Sequence, residues 1–208
     1  MHRYAVTPGV GQTFFTPEQL RLVGHVAGAD GRVELNAFMQ LIVHTTRPDV
    51  EEQHRSLREG GLAIYPVGPV VKNLHTCSFC SGQKVEGLPD AQRLDEAVAG
   101  ASVPFPVRVG FSGCAANCGE ALVRDVGVVR LDEGRYDIYA GGRPGGLTPC
   151  FGQRVAEGVT SEALVPVVEA LLAVYRETAR GKERLWKNVA RIGIEPYQAA
   201  IHKETGRP

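Results

Sequence analysis

"GFSGCAANCGEALVRDVGVV", residues 110–129, decides the reading of this chain. An apolar approach delivers a Ser-Gly-Cys turn. A second cysteine, Cys118, follows four residues after Cys114, and small residues fill the gap. Upstream, "HTCSFCSGQ" (residues 75–83) holds another close pair, Cys77 and Cys80. Four thiols in two close pairs fit two kinds of tetrahedral sulfur site, structural zinc or an iron–sulfur cluster. Cys150 stands alone in "LTPCFGQ" and reads as a small apolar side chain.

Composition narrows the setting. Lys plus Arg equals Asp plus Glu at 23 each, so the formal charge is zero. No basic surplus points to nucleic acid. No apolar run approaches the ~20 residues that span a bilayer. The start "MHRYAVTPGVGQ" lacks the regions of a signal peptide. The expected compartment is the cytoplasm, where thiols stay reduced. There, an odd count of five cysteines argues against a disulfide framework.

Around the cysteines the chain mixes helix and strand signals. "TPEQLRLVGHVAGA" opens with Thr16 as N-cap, Pro17 at the first helical position and Gln19 closing a capping box. Val33 with Leu35, then Leu41 with Val43, read as strands. "RPDVEEQHRSLREGG" reads as a helix capped by Asp49 and stopped by Gly60-Gly61. "LAIYPVG" is a short strand. Further on, "LPDAQRLDEAVAGA" reads as a helix capped by Asp90, and "PFPVRVGFS" as the strand leading to Cys114. "VGVVRLDEGRYDIYAGG" is a hairpin turning at Asp132-Glu133-Gly134. Leu164, Val168, Leu171, Leu172 and Tyr175 mark one face of an amphipathic helix with Pro166 in its first turn. "KERLWKNVARIG" is a last helix, with Trp186 in the core. The fold class is α+β. Residues 1–70 form a small α+β unit and residues 71–208 carry the cysteines.

At these motifs the chain resembles the nitrite/sulfite reductase family, as a small single-half member. The carrying residues are "NLHTC" (73–77), "GFSGCAANCGEALVRDVGVV" (110–129) and "YDIYAGG" (136–142), with Asp125-Val126-Gly127 closing the cysteine signature. The resemblance implies a ferredoxin-like half-domain over residues 1–70 and a [4Fe–4S]/sirohaem domain over 71–208. It implies Cys77, Cys80, Cys114 and Cys118 as cluster ligands, with Cys118 also bridging to sirohaem. Arg108, Arg124 and Arg143 become candidates for the tetrapyrrole carboxylates, and Arg108 and Lys72 for the catalytic face. His75, two residues before a ligand, reads as a hydrogen-bonded structural residue. The implied activity is electron transfer from a small donor protein, through the cluster, to sulfite or nitrite on sirohaem.

The sequence also departs from the family pattern. Two residues separate Cys77 and Cys80 where the family has five. Cys114-Ala115-Ala116 replaces Cys-Pro-Asn. Pro106-Val107-Arg108 has one basic position where the family has two, and Asn36–Met39 lacks the family's arginine. The expected catalytic face is therefore less basic than a full reductase requires. A second copy in a C2 homodimer could supply the missing wall. Two other readings stand beside this one: a cluster-only electron-transfer protein, and a structural zinc module.

Overall fold

The computed structural model describes residues 1–80, 86–132 and 134–205. The hairpin turn expected at Glu133 and the segment after Cys80, residues 81–85, lie outside the described residues. The described chain is α+β, in two compact units, Met1–Gly68 and Pro69–Pro208. Among the described residues no helix is long and apolar enough to cross a membrane.

The first unit runs β1 (His2–Thr7), α1 (Pro17–Ala27), β2 (Arg32–Leu35), β3 (Leu41–Thr45), α2 (Val50–Glu59) and β4 (Ala63–Pro66). Its sheet has the order β2-β3-β1-β4 with every pair antiparallel. That β-α-β-β-α-β order is the ferredoxin-like arrangement. α1 starts as its residues demand. Gln19 N–H donates to Thr16 Oγ1 at 3.2 Å, and Thr16 N–H donates back to Gln19 Oε1 at 3.0 Å. Tyr4, Val6, Val23, Val26, Val43 and Leu57 close the core between sheet and helices.

One expectation needs correction here, and one element carried no reading in the sequence. Asp49 stands at the start of α2 without a side-chain cap bond. Its carboxylate is held instead by Arg47, at 2.7 and 3.2 Å, and by Gln53 at 3.1 Å. The arginine's hydrogen bonds pull the Asp49 carboxyl down to about 2. The N-terminal stretch, unread as structure in the sequence, is β1. It pairs with both β3 and β4 and so lies inside the sheet rather than at its edge.

The second unit runs β5 (His75–Thr76), α3 (Leu88–Val98), β6 (Val109–Ser112), β7 (Val126–Arg130), β8 (Arg135–Ala140), β9 (Gln153–Thr160), α4 (Leu164–Thr178), α5 (Leu185–Ile192) and α6 (Glu195–Thr205). The sheet order follows the chain, β5-β6-β7-β8-β9. β5–β6 and β6–β7 are parallel, and the remaining pairs are antiparallel. β9 and α6 carry no clear sequence signal. β9 alternates weakly, with Val155 and Val159 buried, and its register against β8 is broken by bulges.

Asp90 is a second misread cap. It lies inside α3, buried, and its carboxylate accepts from Tyr136 Oη and Ser161 Oγ at 2.5 Å each. The pull toward a buried acceptor network, not the helix terminus, explains an aspartate at this position.

Candidate functional site

The two parallel pairings place the cysteines. β5 and β6 run side by side, with His75 opposite Gly110 and Thr76 opposite Phe111. Cys77 therefore leaves β5 at the same end of the sheet where the chain leaves β6 for Gly113-Cys114. A direct link joins the two turns: Gly113 N–H donates to Cys77 Sγ at 3.3 Å. Amide donors of this kind stabilise thiolate charge and tune a cluster held by it.

Each turn is anchored from the core. Phe79, between the first two cysteines, adopts φ 44° and is buried, packing its ring 5.9 Å from that of Phe111. Left-handed backbone at a bulky residue is uncommon. Here the buried ring holds it, with Cys77 half-buried and Cys80 exposed on either side. The second pair sits in the Gly113–Asp125 crossover from β6 to β7, which uses no α-helix. Asn117, at φ 57°, bonds through its side chain to Ser112 Oγ at 3.2 Å and to Leu122 N–H at 3.3 Å. Ser112 Oγ in turn accepts from Gly119 N–H at 3.1 Å. The crossover lies so close on the sheet that a Cβ at Gly119 would sit 2.0 Å from Phe111 O, and one at Gly127 2.2 Å from Ala121 O. Glycine is obligatory at both.

Cys114 is half-buried and Cys118 exposed. Among the described residues, no three His, Cys, Asp or Glu side chains stand together as ligands of a single ion. A cubane makes a different demand, because each thiolate binds a different iron. The donor set, four soft sulfurs on two linked turns with an amide already aimed at one sulfur, fits such a cluster.

The basic candidates separate into two groups. Arg124 lies on the crossover's return path. Its side chain packs over Gly110, its guanidinium pairs with Glu120, and burial pushes its pKa down against that pairing. His75 Nε2 stands 3.9 Å from Glu120 Oε2, and burial lowers its pKa, reinforced by the Arg124 charge. Arg124 enters β7 beside Arg108, whose charge acts on it, but its side chain and that of His75 reach toward the cysteine turns through Glu120.

Lys72, Arg108 and Arg143 do not. Lys72 N–H donates to Val107 O, before β6 begins. Arg108 precedes β6, and Arg143 follows the end of β8, whose Ala140 lies opposite Val126 and, through it, Val109. All three therefore occupy the opposite end of the sheet, roughly 13 Å away at ~3.3 Å per strand residue. Lys72 is buried, which depresses its pKa. Arg108 offers its backbone N–H and its Nε to Asp125 Oδ2 at 2.9 and 3.2 Å. Burial raises the Asp125 pKa while Arg108 opposes the rise. The structure thus does not bring Lys72 and Arg108 to the cysteine turns. Cys150 also lies away from the paired cysteines. It is exposed, bonded through its backbone to Arg143, with its Sγ 3.6 Å from Gly141 O.

Comparison with known proteins agrees with this architecture. The family described as "Nitrite and sulphite reductase 4Fe-4S domain" matches residues 70–208. The chain is 30% identical over 190 residues to the cobalt-factor III methyltransferase of Priestia megaterium, covering 90% of this chain and 34% of that protein. It is 28% identical over 208 residues to the assimilatory-type sulfite reductase of Nitratidesulfovibrio vulgaris, covering 95% of this chain and 92% of that one. In fold it is similar to the Mycobacterium tuberculosis NirA protein, with a TM-score of 0.68 at 20% identity over 91% of this chain and 38% of the other. The chain thus spans only about a third of the length of the methyltransferase, although nearly all of the sulfite reductase.

Proposed function

The chain belongs to the nitrite and sulphite reductase 4Fe-4S domain family, and from that premise we propose that it is a sirohaem-dependent reductase of a small oxyanion, sulfite or nitrite. In this reading Cys77, Cys80, Cys114 and Cys118 would hold the [4Fe–4S] cluster, and Cys118 would be the ligand shared with sirohaem. The observation that carries it is the Gly113 N–H to Cys77 Sγ hydrogen bond, which ties the two cysteine turns together at one end of the sheet. When bound, the two groups together would supply single electrons for the reduction of a bound anion. The protein's share is to fix four thiolates, to offset their charge with amide N–H groups, and to place a cation beside them. Arg124, half-buried and reaching toward the cysteine turns through Glu120, is the side chain assigned to a tetrapyrrole carboxylate or the anion. Electrons would come from a small donor protein in the cytoplasm. A homodimer is the arrangement that would add the basic side chains this end lacks. The zinc reading is set aside, because the family is a 4Fe–4S one.

The test is a visible spectrum of anaerobically purified protein, with iron and sulfide counts, followed by sulfite and nitrite assays under a chemical reductant. Haem bands together with about five iron per chain, four in the cluster and one in sirohaem, and about four acid-labile sulfides are expected. Colourless protein binding zinc overturns the reading.

A second reading, a cluster-only electron-transfer module, is favoured by one observation. Of the four basic candidates, Arg124 alone reaches toward the cysteine turns, and Glu120, the group it reaches, already neutralises it. A relative named as a methyltransferase covers 90% of the chain, which fits a cluster unit serving a different partner activity. Brown protein without haem bands selects this reading.

A further inference from the structure

A second concentration of charge lies at the sheet end away from the cysteines. Arg108, Arg143, Arg184 and Lys187 line one cavity of about 420 Å³, with Trp186 and the Gly145-Gly146 turn completing its wall. Arg108 answers to Asp125. Among the described residues, Arg143, Arg184 and Lys187 have no carboxylate within ion-pair distance. The three settle for weaker partners. The Arg143 guanidinium stacks 4.1 Å over the Trp186 ring and donates to Thr148 Oγ1. Arg184 lies 4.7 Å over the Phe105 ring, and Lys187 stands 5.6 Å from the Trp186 ring. Two buried donors, Arg143 Nε and Trp186 Nε1, have no hydrogen-bond partner among the described residues.

Like charges gathered on one wall repel, and buried donors without partners cost free energy. Such an arrangement is stabilised by an anion. Guanidinium forks match both carboxylate and phosphate oxygens. α5 adds to this. Arg184 is its N-cap, so the positive end of the helix dipole lies beside the same cavity.

We propose that this cavity is an anion-binding site for a small polyanion, a ligand bearing two or more carboxylate or phosphate groups. It is separate from the cluster end, because Arg108 precedes β6 whereas Cys114 follows it, and Arg143 follows β8 at the Val109–Val126–Ala140 end of the sheet. More than one anionic group is required because four cations converge on one space and the single carboxylate that acts on them, Asp125, pairs with Arg108 and reaches Arg184 only through space. The site does not depend on sirohaem, and its failure would leave the reductase reading untouched.

Trp186 is the only tryptophan in the chain, so its fluorescence reports this cavity directly. The purified protein, with whatever cluster it carries, is titrated separately with citrate and with tripolyphosphate while Trp186 emission is followed. A saturable change with a midpoint below about 1 mM is expected for at least one of them. Chloride at equal ionic strength should give no saturable change. The preferred probe then tells a carboxylate ligand from a phosphate one. Arg184 and Lys187 are exposed, so the double variant Arg184→Gln/Lys187→Gln should fold normally and raise the midpoint about tenfold or more. Circular dichroism checks the fold. No saturable change with either polyanion overturns the proposal, as does a change that the folded double variant leaves intact.

Discussion

Gly113 N–H donates to Cys77 Sγ at 3.3 Å, across 36 residues of sequence. The bond exists because β5 and β6 are parallel neighbours, so both cysteine turns emerge at one end of the sheet. Parallel strands need a long crossover, and the chain spends the second crossover, Gly113–Asp125, on building the cysteine turn itself. Fold and site are the same stretch of chain here.

Cys77→Ser and Cys114→Ser are each expected to lose the cluster, because a hydroxyl is a poor ligand for iron in such a site. Cys150→Ser should keep it, since that side chain lies against Gly141 O away from the paired turns. Iron and acid-labile sulfide per chain decide the matter. Loss of cluster iron from the Cys150 variant would make Cys150 a ligand or a close neighbour of one.

Gly119→Ala should be destabilising without touching any ligand. Its Cβ would meet Phe111 O at 2.0 Å, and backbone cannot step aside as a side-chain end can. Overpacking of this kind costs about 1–3 kcal/mol, occasionally more. Lower thermal stability together with lower cluster retention is expected. Wild-type stability in this variant would mean the crossover sits farther from the sheet.

Much of this was legible in the residues, and the failures share a cause. The capping box at Thr16, the apolar face Leu164–Tyr175 and the Ser-Gly-Cys turn are local signals, and each folded as its neighbours in sequence require. Asp49 and Asp90 looked like caps because Asp is a common one. Their partners, Arg47 for one and Tyr136 with Ser161 for the other, are set by tertiary packing. β9 was missed because bulges break its alternation. Trp186 was read as core, yet it carries Arg143 on its face at the wall of a cavity. Only the fold brings residues 108, 143 and 184–187 together.

Acid stability should depend on Glu183. Its carboxylate accepts from Arg191 Nε and Nη2 at 3.0 and 2.7 Å, from Arg180 N–H at 3.1 Å and from Asn188 Nδ2 at 3.2 Å. The Arg191 hydrogen bonds lead these in drawing its pKa from 4.5 down to about 2. A depressed acid contributes stability that is present above the unfolded value and is lost as pH falls toward the folded one. Glu183→Gln should therefore be less stable than wild type at pH 7, with the difference shrinking between about pH 4.5 and 2. Chemical denaturation at stepped pH measures this. A gap that stays constant across that window would show that Glu183 acts through shape rather than charge.

The last prediction asks which end of the sheet carries the chemistry. Arg124 packs over Gly110 and reaches Glu120, two residues past Cys118. Lys72 sits at the other end, beside Val107. If the reductase reading holds, Arg124→Gln should keep its cluster iron but lose sirohaem occupancy, turnover or both. One well-placed charged donor is worth about 10²–10³ in rate. Lys72→Met keeps the apolar stem in its buried position and removes a charge that burial already disfavours. It should retain cluster, haem and turnover. Haem absorbance per iron separates lost binding from lost catalysis in both variants. If Lys72→Met falls as far as Arg124→Gln while still holding its iron, the anion is reached from the Val107 end, and the assignment of Arg124 fails.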